Sequence, residues 1–304
     1  MLVVGAGSTG GYFGGRLAQA GRNVTFLVRA ARARQLAEYG LQIVSPHGDF
    51  TLRPQILTAD AISGAYDAIL LAVKAFSLDS ALMDMAPAVG HETMILPVLN
   101  GMRHVDSLIK RFGKKTVVGC ACKIAGSVDG QGRIVQHNST QDIAYGELDG
   151  EVSPRIQELD HFMREAGFDA RLSPSIEREM WEKWILLAGL GGINCLMRGT
   201  IGDVAQAPGG SEFALAVLEE IVAVVRAVGV PPSSEFVAAA RSALTAKSSS
   251  QTSSMYRDLQ SGVRVEADQI IGDLVERARA AKIKAPLLGL IYTHLCVYQH
   301  RFAA

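Results

Sequence analysis

Leu2-Val3-Val4-Gly5-Ala6-Gly7-Ser8-Thr9-Gly10-Gly11-Tyr12-Phe13-Gly14-Gly15-Arg16-Leu17 opens the chain, and its reading decides the fold. A short apolar run leads into Gly-x-Gly-x-x-Gly, and a stretch of helical composition follows at once. Gly5 allows the tight turn, Gly7 lets a backbone approach a diphosphate, and Gly10 lets helix and strand pack closely. The unsatisfied N–H groups and dipole at such a helix start favour phosphate. The motif Gly5, Ala6, Gly7, Ser8, Thr9 and Gly10 therefore predicts dinucleotide binding. Gly14 and Ala18 continue a small-residue face at four-residue spacing, consistent with close packing on a sheet. Only four residues precede Gly5, which makes the first strand short and leaves two readings, a start placed a few residues late or a trimmed chain.

Working outward, Val24-Val28, Ala68-Val73 and Met94-Leu99 are apolar runs bounded by turn residues, as expected of strands buried on both faces. Gly10-Ala20, Ala30-Tyr39 and Leu78-Ala88 between them have helical composition. That alternation predicts a parallel sheet with right-handed crossovers. Leu41-Leu52, with Pro46-His47-Gly48-Asp49 at its centre, reads as an inserted hairpin. Val117-Ile124 and Asp142-Tyr145 read as further strands near the edge of that sheet.

After Ser173-Pro174 the character changes. Ser175-Met197, Glu212-Val228, Ser234-Ala246, Met255-Arg279 and Pro286-Phe302 favour helix and are separated by Pro208, Pro231-Pro232 and Pro286. The predicted fold class is α/β, an N-terminal Rossmann-type doubly wound sheet over residues 1–173 with an all-helical C-terminal domain over residues 174–304. There is no internal repeat, and Ser248-Ser254 is the one compositionally biased segment.

The bulk numbers set limits on function. With 48% hydrophobic and 20% charged residues the chain reads as globular. Lysine plus arginine equals aspartate plus glutamate at 30 each, and no basic stripe stands out, so no nucleic-acid partner is expected. The four cysteines, Cys120, Cys122, Cys195 and Cys296, form no Cys-x-x-Cys pair. The seven histidines have no ligand spacing, so reduced thiols and no metal site are expected. The longest apolar run, Trp184 to Met197, holds 14 residues, too few to span a bilayer, and reads as a buried helix. The start lacks a basic segment of the signal-peptide kind. These features predict a soluble, cytoplasmic protein with no membrane partner. The apolar helix surface of the second half suits either a homodimer or helices that bury one another.

The end of the second strand carries the cofactor choice. An acidic residue there would hydrogen-bond the ribose 2′-hydroxyl of NAD. Here Val24-Val28 ends in Arg29, followed by Arg32 and Arg34. A guanidinium, permanently charged and able to donate in a fork, suits a 2′-phosphate, so NADPH is expected.

The opening segment, Phe26-Leu27-Val28-Arg29, Leu71-Ala72-Val73-Lys74 and Leu99-Asn100-Gly101 together resemble ketopantoate reductases. So do Trp181-Glu182-Lys183 and Ser253-Ser254-Met255 with Glu266, in the same order over nearly the whole chain. The resemblance implies NADPH-dependent reduction of a small-molecule 2-oxo acid, 2-dehydropantoate (ketopantoate), to the 2-hydroxy acid pantoate. It implies that Arg29 holds the 2′-phosphate and that Lys74 and Asn100 lie along the cofactor near the nicotinamide. Lys183 would be the general acid, grouped with Glu266 as the catalytic pair, and Glu266 and Ser254 would position the substrate, with Asn100 also on the substrate side. The chemistry agrees: hydride delivered to a ketone carbon leaves charge on its oxygen, which needs a proton and a stabilising cation. A lysine ammonium supplies both.

The pattern departs in one place. The family carries asparagines four and eight residues after the catalytic lysine, where this chain has Leu187 and Gly191. Asn194, about one helical turn further on, is the candidate substitute. A pocket without those polar groups is more permissive, which keeps open a less polar 2-oxo acid. A third reading, an NADPH-binding sensor without catalysis, is opposed by the retention of Lys183 and Glu266 together.

Overall fold

The computed structural model describes residues 1–302. The chain forms two compact units, Met1–Leu99 with His104–Glu177, and Asn100–Arg103 with the chain from Arg178 onward. The first unit runs β1 (Leu2–Val4), α1 (Ser8–Gln19), β2 (Thr25–Leu27), α2 (Ala30–Tyr39), β3 (Leu41–Val44), β4 (Phe50–Leu52) and β5 (Gln55–Leu57). It continues with β6 (Ala68–Leu71), α3 (Leu78–Met85), β7 (Met94–Pro97), α4 (Arg103–Phe112), β8 (Val118–Val128), β9 (Ile134–Glu147), α5 (Pro154–Met163) and β10 (Asp169–Leu172).

Five strands form an all-parallel sheet in the order β5-β2-β1-β6-β7. The register sets Val3 of β1 opposite Phe26 on one side and Leu70 on the other. All three side chains are fully buried, as the continuous apolar runs required. Because β1 is central, the loops leaving β1, β2 and β6 emerge side by side at the carboxyl end of the sheet.

The later strands do not extend this sheet. Val117–Ile124 and Asp142–Tyr145, expected near its edge, instead build a second sheet of order β10-β9-β3-β4, with β8 also paired to β9. β8 runs antiparallel to β9 from Val118 opposite Glu147 to Val128 opposite Ile134, with an irregularity between Ile124 and Gly126. The expected hairpin forms as β3 and β4 but belongs to this second sheet. A single bridge, Ile95 with Val117, links this strand region to the parallel sheet among the described residues.

Helix α1 explains the arrangement, since two glycine stripes let it lie against both sheets. A Cβ at Gly14 would fall 2.8 Å from the Phe26 ring and 2.9 Å from Val3 of the parallel sheet. One at Gly15 would fall 2.8 Å from Ile43 and 3.0 Å from Leu41 of the second sheet. At such separations any side chain would force the layers apart. Tyr12, Phe13, Phe26, Ile43, Ile143 and Tyr145 thereby share one core.

The second unit is helical: α6 (Ile176–Met197), α7 (Ile201–Gln206), α8 (Gly210–Val228), α9 (Ser234–Leu244), α10 (Ser254–Gln260), α11 (Asp273–Ala280) and α12 (Pro286–Gln299). α6 is apolar around most of its circumference and is the buried helix the sequence suggested. α8 packs on α7, α9, α11 and α12. Its Glu220 accepts from the Leu287 and Leu288 N–H groups at 3.0 Å each, satisfying the start of α12. No helix among the described residues is long and apolar enough to cross a membrane.

Met255–Arg279, expected as one helical stretch, is interrupted. Gly262 adopts φ +70 and ends α10. Its N–H bonds the Leu259 carbonyl while the Val263 N–H bonds the Asp258 carbonyl, both at 3.1 Å, the paired bonds of a Schellman stop. The Tyr298 hydroxyl lies 2.9 Å from the Val263 carbonyl oxygen and 3.2 Å from that of Leu259, and its single proton, donated to one or shared between them, holds this turn. The chain becomes helical again only after Glu266, through a π-turn at Asp268–Gly272 that leads into α11.

Candidate active site

Two places gather the residues singled out from the sequence, one in each unit. In the first, β1 ends at Val4 and Gly5 turns the chain at φ +96, its N–H bonded to the Leu27 carbonyl at 3.0 Å. A Cβ at Gly10 would overlap the Gly5 carbonyl oxygen and lie 2.7 Å from the Ala72 methyl, so helix and strands approach as closely as backbones can. Gly7, the N-cap of α1, has nothing within 4 Å of where its Cβ would be. No side chain caps α1 and its first turn carries no acidic residue, so Ser8, Thr9 and Gly10 sit at an uncompensated positive helix end.

Arg29, exposed at the end of β2, is the N-cap residue of α2. Its guanidinium donates to the Ser80 hydroxyl on α3 at 3.0 Å. Ser80 in turn donates to the Ser77 carbonyl at 3.1 Å. Lys74, exposed after β6, opens a short 3-10 turn at Ala75–Ser77. Gly5–Gly10, Arg29 and Lys74 thus follow β1, β2 and β6, three adjacent parallel strands, at the sheet end where open α/β folds bind ligands. Ser80 carried no signal in the sequence, because its part is set by the α3 position relative to β2.

In the second unit Lys183 lies half-buried on α6, next in sequence to Trp184, whose ring stands 5.4 Å from that of Trp181. Arg277 of α11 lies 5.6 Å from each ring centroid and pairs with the buried Asp273 at 3.1 Å. Glu182 accepts from the Ser233 N–H at 2.9 Å. Trp184 donates its indole N–H to the Ile270 carbonyl at 2.9 Å, in the middle of the π-turn. This ties the stretch of α6 that bears Lys183 to that turn.

The same π-turn holds two other candidates. The Ile270 N–H bonds the carbonyl of Glu266 at 3.0 Å. Glu266, expected on a helix beside Ile270, in fact sits just ahead of its first residue and is 9% exposed. The buried Gln269 donates its side-chain amide to the Asn100 carbonyl at 2.9 Å, and a Cβ at Gly101 would fall 2.7 Å from the Gln269 carbonyl oxygen. Lys183, Glu266 and Asn100 are therefore tied to one five-residue turn. Irregular turns of this kind recur at functional sites because they aim backbone and side chains where a regular helix cannot.

Ser254 is the exposed first residue of α10. Its neighbour Ser253 is the structural member of the pair: its hydroxyl caps α10 by accepting from the Tyr256 N–H at 3.0 Å. The Ser253 N–H donates to the Asn194 side chain at 2.9 Å. Asn194, expected as the substitute for the family's asparagines, is fully buried and donates its amide to the Gly199 carbonyl at 2.8 Å. Both ends of its side chain hold protein, so it is a tether. Beside it, a Cβ at Gly191 would fall 2.7 Å from the Met255 methyl carbon. Lys183, Leu187 and Gly191 recur every four residues, on one face of α6.

Comparison with known proteins fits both places. The ketopantoate reductase PanE/ApbA model matches residues 1–150 and the model of its C-terminal part matches residues 175–299. The chain belongs to the ketopantoate reductase family. It is thereby a member of an oxidoreductase family. It is 35% identical to the uncharacterized oxidoreductase YkpB of Bacillus subtilis over 298 residues, 98% of each chain. It is 28% identical to a 2-dehydropantoate 2-reductase of Halobacterium salinarum over 293 residues, 95% of each. A PanE/ApbA family ketopantoate reductase from Ralstonia eutropha superposes with a TM-score of 0.88 at 25% identity over 100% of both chains.

Proposed function

We propose that the protein is an NADPH-dependent reductase of 2-oxo acids, with 2-dehydropantoate as substrate and pantoate as product. The observation that supports this reading is that the segments bearing Lys183, Glu266 and Asn100 are each bonded to the turn at Asp268–Gly272, through Trp184, the Glu266 carbonyl and the Asn100 carbonyl. The first unit suits a dinucleotide: α1 has an uncapped positive end with open space at Gly7, and no carboxylate follows β2. Gly5, Ala6, Gly7, Ser8, Thr9 and Gly10 would hold the diphosphate and Arg29, with Ser80, the 2′-phosphate. Lys74 would lie toward the nicotinamide, with Asn100. The bound dinucleotide supplies the hydride.

The protein's own part is to bind the acid and manage the charge left on the carbonyl oxygen. Lys183 donates a proton to that oxygen, and its cation stabilises the developing charge before transfer. Glu266, held at the head of the π-turn, orients the substrate, and the Ser254 hydroxyl and Asn100 amide bind its polar groups. Trp184, Gln269 and the Arg277–Asp273 pair keep these groups in register.

Leu187 and Gly191 support a second reading, a 2-oxo acid with a less polar tail. On the Lys183 face of α6 they present a half-buried aliphatic side chain and a position backed by the Met255 methyl group. Oxidation of NADPH by the purified protein, followed with 2-dehydropantoate beside branched and aromatic 2-oxo acids, tests both. The highest kcat/KM on 2-dehydropantoate supports the first reading, and a higher value on an apolar acid selects the second. Tight NADPH binding with no turnover on any of them would contradict both and leave a sensor. A preference for NADH would contradict the part given to Arg29.

A further inference from the structure

Arg32, in the first turn of α2, does more than add charge beside Arg29. Its Nε donates to the Ala6 carbonyl, inside the glycine loop, at 3.2 Å. Its Nη1 donates to the Gly132 carbonyl, in the turn between β8 and β9, at 2.8 Å and to Gln35 at 2.5 Å. Gln35 donates onward to the Gln131 carbonyl at 3.0 Å. Its Nη2 is buried and has no hydrogen-bond partner. The oxygens bonded to this guanidinium, those of Ala6, Gln35 and Gly132, are all neutral. Burial lowers its pKa, and no acidic side chain opposes that shift.

A cation half withdrawn from water without a counter-charge is unfavourable on its own. This one is bonded to Ala6, the residue before Gly7, where the uncapped positive end of α1 begins. Two positive elements adjoin, and neither is compensated within the first unit. An anion at the glycine loop would relieve both at once.

We infer that Arg32 is a positioning residue for the dinucleotide's diphosphate, holding the Ala6 carbonyl aside and supplying the counter-charge to that group through the loop. The assignment rests on the dinucleotide reading given above. Because Nη2 is shut off from solvent, Arg32 acts through the loop and its field, without touching the diphosphate. Because Ala6 lies on the diphosphate side, its effect is common to NADPH and NADH, whereas Arg29 separates the two.

Titration of wild type, Arg32→Gln and Arg32→Lys with NADPH and with NADH, followed by protein fluorescence, tests this, together with the thermal midpoint of each protein without dinucleotide. Arg32→Gln is expected to raise Kd for both dinucleotides by about tenfold. Arg32→Lys should recover part of the loss, and the wild-type effect should shrink as salt is raised. The midpoint of free Arg32→Gln should equal or exceed that of wild type, since an uncompensated cation has been removed. A lowered midpoint with both Kd values unchanged would make Arg32 a purely structural brace and overturn the assignment. A loss confined to NADPH would move Arg32 to the 2′-phosphate and overturn it equally. Wild type that binds neither dinucleotide would remove the underlying reading, and this one with it.

Discussion

The glycine loop of the first unit is six consecutive residues, whereas the Lys183 region of the second is tied together by hydrogen bonds spanning 86 and 169 positions of the chain. The loop needs only a strand before it, a helix after it and glycines where backbones touch. Its geometry is local, and its tolerance for change is small because backbone meets backbone at Gly5 and Gly10. The Lys183 region is long-range and adjustable. It depends on Trp184 reaching a π-turn, and on Gln269 reaching from that turn to Asn100, in a stretch that follows the stop of α10 at Gly262. On the proposed function, binding and chemistry would fall to two kinds of construction, and substitutions should separate them.

The largest effect should come from the local side. Gly10→Val places side-chain atoms on the Gly5 carbonyl, so titration should detect no dinucleotide binding, and overpacking should lower stability by about 1–3 kcal/mol. Retained binding would mean that the loop geometry does not govern the cofactor. Arg29→Gln should be milder and selective: the ratio of Kd for NADPH to Kd for NADH should shift by about ten- to a hundredfold toward NADH. An unchanged ratio would assign the 2′-phosphate elsewhere.

The long-range side should give graded responses. Trp184→Phe keeps an aromatic side chain but loses the N–H to Ile270 and part of the buried ring volume, which should cost about 2–4 kcal/mol in unfolding and lower kcat severalfold with Kd for NADPH unchanged. A variant with wild-type kcat would show that the π-turn does not need this tie. The smallest effect concerns Cys195, fully buried on α6, where burial pushes the thiol up to about 12. It stays protonated across the working pH range, so an alkylating agent at neutral pH should leave it unmodified in the folded protein; labelling at the rate of an unfolded control would mean that α6 opens readily.

The same contrast decides what could be read from sequence. The loop, α2 and the buried strands β1, β2, β6 and β7 were legible because period, glycine spacing and apolar runs are local signals. The second sheet was not. Val117–Ile124 and Asp142–Tyr145 read correctly as strands, but strand character carries no information about which sheet takes them. The overlooked clue was the second glycine stripe, Gly11 and Gly15, which has no use unless another layer lies against α1. Ser261-Gly262 was a stop signal inside an otherwise helix-favouring run, and missing it put Glu266 on a helix. Lys183, Glu266, Asn100 and Ser254 came from the family resemblance, since nothing in their spacing joins them. Asn194 fitted a substrate role by helical position alone, and only its bonds to Gly199 and Ser253 show it to be a tether. Ser80 and Gln269 take their parts from contacts far apart in the chain and left no local mark, and Arg32 showed in sequence only as one more charge after β2.

The division of labour between the two units is tested most directly in Lys183→Ala, by measuring NADPH affinity and turnover of the preferred 2-oxo acid on the same preparation. The account predicts a Kd for NADPH equal to that of wild type and a kcat lower by about a hundredfold or more. Near-normal kcat would contradict the assignment of Lys183 as the proton donor.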